Sequence, residues 1–269
     1  MKAGGILALA GLLAGCAHVP PISPGAEYVA LGSSYAAGTG MGGIKPGTPE
    51  RCQRSPLNYA TLLAAGLHLR LVDASCGGAM TAHLLGPWNE LPPQLDALTP
   101  QTRLVTITGA GNDIGFVRNL AASACAQGTA GCPARLDPVE ADWRAVELAL
   151  QQVVDRIRER APSARIVFVD YVTLIPAHGT CAALGMSTGD ADTARTVAKR
   201  LAAVTARVAH HNGADLIAAS RLSASHTPCD PVPWSMGAPG SASSTPWHPN
   251  AAGHAAIAAE LERLLAGRT

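Results

Sequence analysis

The sequence predicts a single α/β domain, built on a parallel β-sheet with helices on both faces. Short apolar runs alternate with longer segments of helical periodicity from residue 28 onward, and this alternation is typical of a parallel sheet. Hydrophobic residues make up 48% of the 269 residues and charged residues 14%, which favours a folded core over disorder. The net charge of +1, without a basic run, does not indicate nucleic-acid binding.

Short apolar runs predict five strands. The clearest is Arg103–Thr108, which is β-branched and uninterrupted, as buried parallel strands are. In chain order the predicted strands are Tyr28–Leu31, Leu69–Ala74, Arg103–Thr108, Arg165–Asp170 and Asp215–Ala219.

Helix signals fall between these strands. Ser55-Pro56 is typical of an N-cap followed by proline at the first helical position, and predicts a helix to about Leu67. Asp137 to Glu140 resembles a capping box. After it, apolar residues recur at helical spacing: Val139, Trp143, Val146, Leu150, Val153 and Ile157. A further helix is predicted after the third strand, and Asp113 is its expected N-cap. Two more helices are predicted, one from about Asp190 to Asn212 and one over Ala251–Leu265. Ser223 to Pro249 is predicted to be a long loop.

The N-terminus has the pattern of an export signal. Lys2 precedes the short apolar run Ile6–Leu13, and Leu13-Ala14-Gly15-Cys16 resembles a bacterial lipobox, in which cleavage precedes an acylated cysteine. An ordinary signal peptide cut after Ala17 is the alternative. We therefore expect a signal peptide (1–15), a tether after lipidated Cys16 (16–26) and the folded domain (27–269), in a protein held at the cell envelope by its lipid or secreted.

Six cysteines remain when Cys16 is set aside. An even number in an exported chain indicates three disulfides. Sequential pairing is our working hypothesis: Cys52–Cys76, Cys125–Cys132 and Cys181–Cys229. The sequence contains no Cys-x-x-Cys spacing, which counts against a metal site at these cysteines.

Polar and glycine-rich segments follow the strands, and in an open α/β sheet ligands bind outside these carboxyl ends. Ser34 follows the first strand, Gly78 the second and Asn112 the third, and His248 closes the long loop. A serine hydroxyl needs an adjacent base to become a nucleophile, and its tetrahedral intermediate needs preplaced donors. We therefore predict Ser34 as nucleophile, His248 as base, and the Ser34 N–H, Gly78 N–H and Asn112 amide as oxyanion donors.

Four of these segments together resemble the SGNH/GDSL hydrolase family, in particular its secreted, disulfide-bearing bacterial lipases and esterases. The segments are Tyr28–Tyr35, Gly78, Gly111-Asn112-Asp113 and His248-Pro249-Asn250, in the family's order. The resemblance implies a three-layer α/β/α sandwich around a flavodoxin-like, parallel five-stranded sheet. It also implies hydrolysis of carboxylic esters through an acyl-enzyme, without a metal or organic cofactor. We expect the protein to be a monomer.

Two positions depart from the family's pattern. Ser33 stands where the family has aspartate, which leaves Ser34 as nucleophile and Ser33 as a minor alternative. Thr245 stands where many members carry the aspartate that orients the histidine. The imidazole is then oriented by a backbone carbonyl, for which we name Thr245, or by Asp230.

Two other functions are open at this point. The departures allow a non-catalytic lipoprotein that binds a surface ligand on an esterase scaffold. The glycine-rich segment Thr108–Gly115 also resembles a dinucleotide-binding loop, as in an NAD(P)-dependent oxidoreductase. Against the latter, Asp113 stands where the pattern has glycine, and the loop follows the third strand rather than the first.

Overall fold

A five-stranded parallel sheet forms the centre of the computed structural model, which describes residues 22–125, 131–240 and 245–266. The strands lie in the order β2-β1-β3-β4-β5, the flavodoxin-like order. They are β1 (Glu27–Gly32), β2 (Arg70–Asp73), β3 (Thr102–Thr108), β4 (Arg165–Val169) and β5 (Asp215–Ile217). All five predicted strands are confirmed, and no end differs by more than two residues.

Helices cover both faces of the sheet, giving the α/β sandwich that the sequence predicts. They are α1 (Ser34–Ala37), α2 (Tyr59–Gly66), α3 (Thr81–Leu85), α4 (Phe116–Ala124), α5 (Glu140–Arg160), α6 (Thr188–His211), α7 (Ala219–Leu222) and α8 (Ala251–Leu265). α2 packs against α8, whereas α5 contacts both α3 and α6, and α6 also contacts α4. The helical spacing noted in the sequence places Trp143, Leu150 and Ile157 on the buried face of α5.

Three predicted helix starts are wrong. α2 begins at Tyr59 rather than after Ser55, because the Asn58 side chain accepts the Thr61 N–H and caps the helix. The Ser55 hydroxyl instead accepts the Leu57 N–H, which makes a turn before the helix. At α5, Asp137 makes no cap, since the Asp142 carboxylate accepts the Val139 N–H at 2.8 Å.

The third correction concerns Asp113. Gly115, in a left-handed conformation, precedes α4, so Asp113 does not cap that helix. Its carboxylate instead accepts the N–H and the hydroxyl of Thr81, the first residue of α3. The acid therefore joins the loop after β3 to the helix after β2, a contact between segments 32 residues apart.

Three disulfides cross-link the loops, in the same pairs that the sequence suggested: Cys52–Cys76, Cys125–Cys132 and Cys181–Cys229. The predicted signal peptide and Cys16 lie outside the described residues. Within the described part of the chain, no helix is long and apolar enough to cross a membrane.

Candidate active site

Ser34 lies where β1 ends and α1 begins, on a sharp turn made by Gly32. Gly32 has φ +135°, and a Cβ there would lie 2.1 Å from the Thr108 carbonyl oxygen of β3. Only glycine fits this close approach between strands. Ser33 donates its N–H to the same carbonyl at 2.9 Å, and the next residue, Ser34, is 8% exposed at the carboxyl edge of the sheet.

His248 meets Ser34 across 214 residues of sequence. Its Nε2 lies 2.7 Å from Ser34 Oγ, and its Nδ1 lies 2.7 Å from the Pro246 carbonyl oxygen. A carbonyl can only accept, so Nδ1 carries the proton and Nε2 is the acceptor for the serine hydroxyl. This is the tautomer that a general base needs.

The group that orients the imidazole differs from both sequence suggestions. The acceptor is the carbonyl of Pro246, one residue after Thr245, whose side chain packs against Gly40. Asp230 is engaged elsewhere: its carboxylate accepts the N–H and the hydroxyl of Thr227, each at 2.7 Å. Because the family's aspartate is missing, the sequence favours a backbone carbonyl as the acceptor. The sequence does not show which carbonyl of the loop faces the ring.

A strained backbone and an aromatic contact hold His248 in place. Trp247 is buried with φ +62°, a conformation that is rare for a bulky residue. The Tyr35 hydroxyl donates to the Trp247 carbonyl, and the Tyr35 ring lies 5.0 Å from the His248 ring. Met236 donates its N–H to the His248 carbonyl at 2.9 Å. Strain of this kind persists where surrounding contacts fix the chain, often at functional sites.

The sequence explains the Pro-Asn that follows His248. Asn250 is the N-cap of α8, where its side chain accepts the Gly253 N–H at 3.0 Å. The same side chain donates to the Pro233 carbonyl at 2.8 Å. The histidine loop is therefore fastened both to α8 and to the segment before Met236.

Burial lowers the pKa of His248 below its ordinary value, and its hydrogen bond to the Pro246 carbonyl acts in the opposite, weaker direction. The side chain is 6% exposed, so the charged imidazolium loses hydration that no carboxylate in the described residues replaces. The ring is consequently neutral at neutral pH and ready to accept a proton.

The three predicted oxyanion donors lie on the loops after β1, β2 and β3. Among the described residues, neither the Ser34 N–H nor the Gly78 N–H has a hydrogen-bond acceptor. Gly78 is exposed with φ +81°, and the next residue, Ala79, accepts a hydrogen bond from Asn112 Nδ2 at 2.9 Å. That contact uses one of the two amide hydrogens and leaves the other for a ligand.

Two tyrosines and a glutamine near the site were missed by sequence reasoning. Gln94 donates to the Gly32 carbonyl at 2.9 Å and accepts the Gly32 N–H at 2.7 Å, which supports the turn before Ser34. The rings of Tyr35 and Tyr171 pack against each other, tilted by 50°, with centroids 4.4 Å apart. Tyr35 stands next to the predicted nucleophile, which was an available signal, whereas Gln94 and Tyr171 lie far from every motif.

No group of three or more His, Cys, Asp or Glu side chains suited to a metal ion occurs within residues 22–125, 131–240 and 245–266. The glycine-rich segment after β3 contributes Asn112 to this site, and its Asp113 carboxylate is bound to Thr81.

Comparisons with known proteins agree with this architecture. The family model described as GDSL-like Lipase/Acylhydrolase family matches residues 30–256. Lipase 2 of Streptomyces coelicolor is 34% identical over 96% of this chain and 92% of its own length. A lipase of Streptomyces rimosus is 33% identical over 77% of this chain and 75% of its own length.

Solved structures give the same result. The crystal structure of an extracellular lipase from Streptomyces rimosus has a TM-score of 0.72 and 29% identity, covering 88% of this chain and 99% of that one. A phospholipase A1 from Streptomyces albidoflavus has a TM-score of 0.72 and 27% identity, over 89% of this chain and 99% of that one. The chain therefore belongs to the GDSL-like lipase/acylhydrolase family and is an ester hydrolase.

Proposed function

We propose that this enzyme cleaves carboxylic esters through an acyl-enzyme on Ser34, with His248 as general base. The observation that carries this proposal is the 2.7 Å contact between Ser34 Oγ and the unprotonated Nε2 of His248. Nucleophile and base at this distance, with the base oriented by a third group, are the signature of nucleophilic catalysis.

The reaction proceeds in two halves. Ser34 Oγ attacks the ester carbonyl carbon as its proton moves to His248 Nε2, and the carbonyl oxygen becomes an oxyanion. The imidazolium then gives that proton to the leaving alcohol oxygen as the ester C–O bond breaks, which leaves an acyl-serine. In the second half, water attacks the acyl carbon and loses a proton to His248, and the proton returns to Ser34 Oγ as the carboxylic acid departs.

Backbone and amide donors stabilise the oxyanion in this scheme. The Ser34 N–H, the Gly78 N–H and the second hydrogen of the Asn112 amide are without acceptors inside the described protein. Each such donor is worth roughly 10²- to 10³-fold in turnover. The Pro246 carbonyl replaces the carboxylate of a triad and stabilises the imidazolium less, because it carries a partial rather than a full charge.

We further propose that the enzyme is exported and acts on acyl esters or lipids. The relatives are named lipases, and the structure from Streptomyces rimosus is named an extracellular lipase. The three disulfides agree with an oxidising compartment. Lipidation at Cys16 would hold the enzyme on a membrane, and incorporation of labelled palmitate that is lost in Cys16→Ser tests this part separately.

A fluorophosphonate probe tests the catalytic proposal directly. Wild-type protein should become labelled, and peptide mass spectrometry should place the label on Ser34 and not on Ser33. Ser34→Ala should lose both label and hydrolysis of nitrophenyl esters. Ser235→Ala is the matched control, because this buried serine has no hydrogen-bond partner for its hydroxyl among the described residues. A folded wild type that takes no label would instead favour a binding protein on an esterase scaffold.

A further inference from the structure

Ser33, one of the two residues that depart from the family's pattern, has a hydrogen-bond partner outside the four family segments. Its hydroxyl lies 3.3 Å from the hydroxyl of Tyr171, and both side chains are buried. Tyr171 follows β4, 138 residues further along the chain. The hydroxyl of Ser33 therefore points into the protein, while that of its neighbour Ser34 points to His248.

Tyr171 also contacts the loop that carries Asn112. Its hydroxyl oxygen accepts the Gly111 N–H at 2.9 Å. A Cβ at Gly111 would lie 2.6 Å from that oxygen and 2.7 Å from the ring carbon bearing it. The glycine before Asn112 is thus required by the tyrosine, which lets the backbone approach the phenol closely.

The ring of Tyr171 is fixed on two sides. It packs against Tyr35 at 4.4 Å between centroids and meets Phe116 edge-on at 5.7 Å. Burial raises the pKa of Tyr171 to about 12, so its hydroxyl keeps its proton at neutral pH. Having accepted from Gly111, the hydroxyl has one hydrogen, and Ser33 Oγ is the acceptor within reach.

We infer that Tyr171 is a positioning residue. It connects the turn that carries Ser34 to the loop that carries Asn112, through hydrogen bonds of its hydroxyl with Ser33 Oγ and with the Gly111 N–H. The inference rests on the proposed function, because it assigns Ser34 and Asn112 the roles given above. The physical reason is preorganisation: attack on the carbonyl and stabilisation of its oxygen need two loops at a fixed separation. A serine in place of the family's aspartate suits this arrangement, since it accepts from the phenol without burying a charge.

Tyr171→Phe tests the inference, because it removes the hydroxyl and keeps the ring that packs on Tyr35. Tyr28→Phe is the matched control: Tyr28 is also buried, and within the described part of the chain its hydroxyl makes one hydrogen bond, with Thr106 Oγ1 at 2.7 Å. Tyr171→Phe should lower kcat about tenfold, as expected for the loss of one aligned hydrogen bond in the transition state, with KM unchanged. Tyr28→Phe should leave kcat at the wild-type value even where it lowers the melting temperature.

Two further readouts distinguish positioning from stability. Ser33→Ala and Tyr171→Phe should be non-additive in kcat, the double variant being no slower than Tyr171→Phe, because both remove the same link. Hydrogen exchange of the Gly111 amide should accelerate in Tyr171→Phe and not in Tyr28→Phe. This second readout does not need catalysis, so it stands even where the fluorophosphonate experiment fails and the proposed function with it.

The inference is overturned if Tyr171→Phe keeps wild-type kcat and fluorophosphonate labelling rate. It is equally overturned if Tyr28→Phe loses as much kcat as Tyr171→Phe, or if exchange of the Gly111 amide is the same in all three proteins. A wild type that resists the probe contradicts the proposed function instead, and the exchange measurement then decides whether the link itself exists.

Discussion

Replacing His248 by alanine tests the centre of the site. The substitution removes the acceptor 2.7 Å from Ser34 Oγ and leaves the hydroxyl without a base. Positioned general bases contribute roughly 10²- to 10⁴-fold. We therefore expect kcat to fall at least about 10²-fold. Since each tenfold corresponds to about 1.4 kcal/mol, the activation free energy should rise by at least about 3 kcal/mol.

The same substitution also costs stability. The Pro246 carbonyl loses its donor, but Pro246 is exposed and water can replace it, so the cost is that of a typical hydrogen bond, about 0.5–1.5 kcal/mol. Burial lowers the pKa of His248, so the folded protein carries a neutral ring there and loses no buried charge with it. The two effects can be separated, because kcat is measured on the folded enzyme and the unfolding free energy is measured in urea.

The assay is hydrolysis of a short-chain nitrophenyl ester, with urea unfolding measured on the same preparations. His254→Ala is the control, since His254 is fully buried and its Nδ1 accepts the Tyr59 N–H at 3.1 Å, so its removal also costs stability. The folded fraction of that control should keep the wild-type kcat. Wild-type turnover in folded His248→Ala would refute the assignment of His248 as base.

Three further outcomes are expected. Asn112→Ala should lower kcat roughly 10²-fold or more through loss of an oxyanion donor; a change in KM alone would count against that role. The acid limb of the kcat/KM profile should have its midpoint below 6.5, because the lowered pKa of His248 keeps the ring neutral, and hence basic, at lower pH than an exposed histidine; a midpoint above 6.5 would contradict the burial argument. Gly32→Ala should destabilise the domain by about 2–5 kcal/mol in urea unfolding, because its Cβ meets the Thr108 carbonyl and its φ suits glycine; Gly43→Ala, also at positive φ but in open space, is the control, and equal losses would show that the clash with Thr108 does not matter.

Local physics in the sequence specified most of the fold. The run Arg103–Thr108 is rich in apolar and β-branched residues, which favours a buried parallel strand. The observed strand β3 begins one residue earlier and ends at the same residue. Asn250 before Ala251 specifies the start of α8, because an Asn side chain caps the helix that follows it directly. The start of α2 was mispredicted because Ser55 and Asn58 both have capping side chains, and only the turn at Ser55 decides between them.

Residue types at the ends of the strands also specified the chemical parts of the site: a serine after β1, an asparagine after β3 and a histidine before α8. These identities follow from composition and order along the chain, because parallel strands bring their carboxyl ends to one edge. Distances, tautomer and orienting groups do not follow, since they depend on contacts between segments far apart in sequence. The Pro246 carbonyl faces His248 only because Trp247 adopts a left-handed conformation that Tyr35 fastens from 212 residues away. Tyr171 likewise meets Ser33 and Gly111 only once the sheet has placed β4 beside β3.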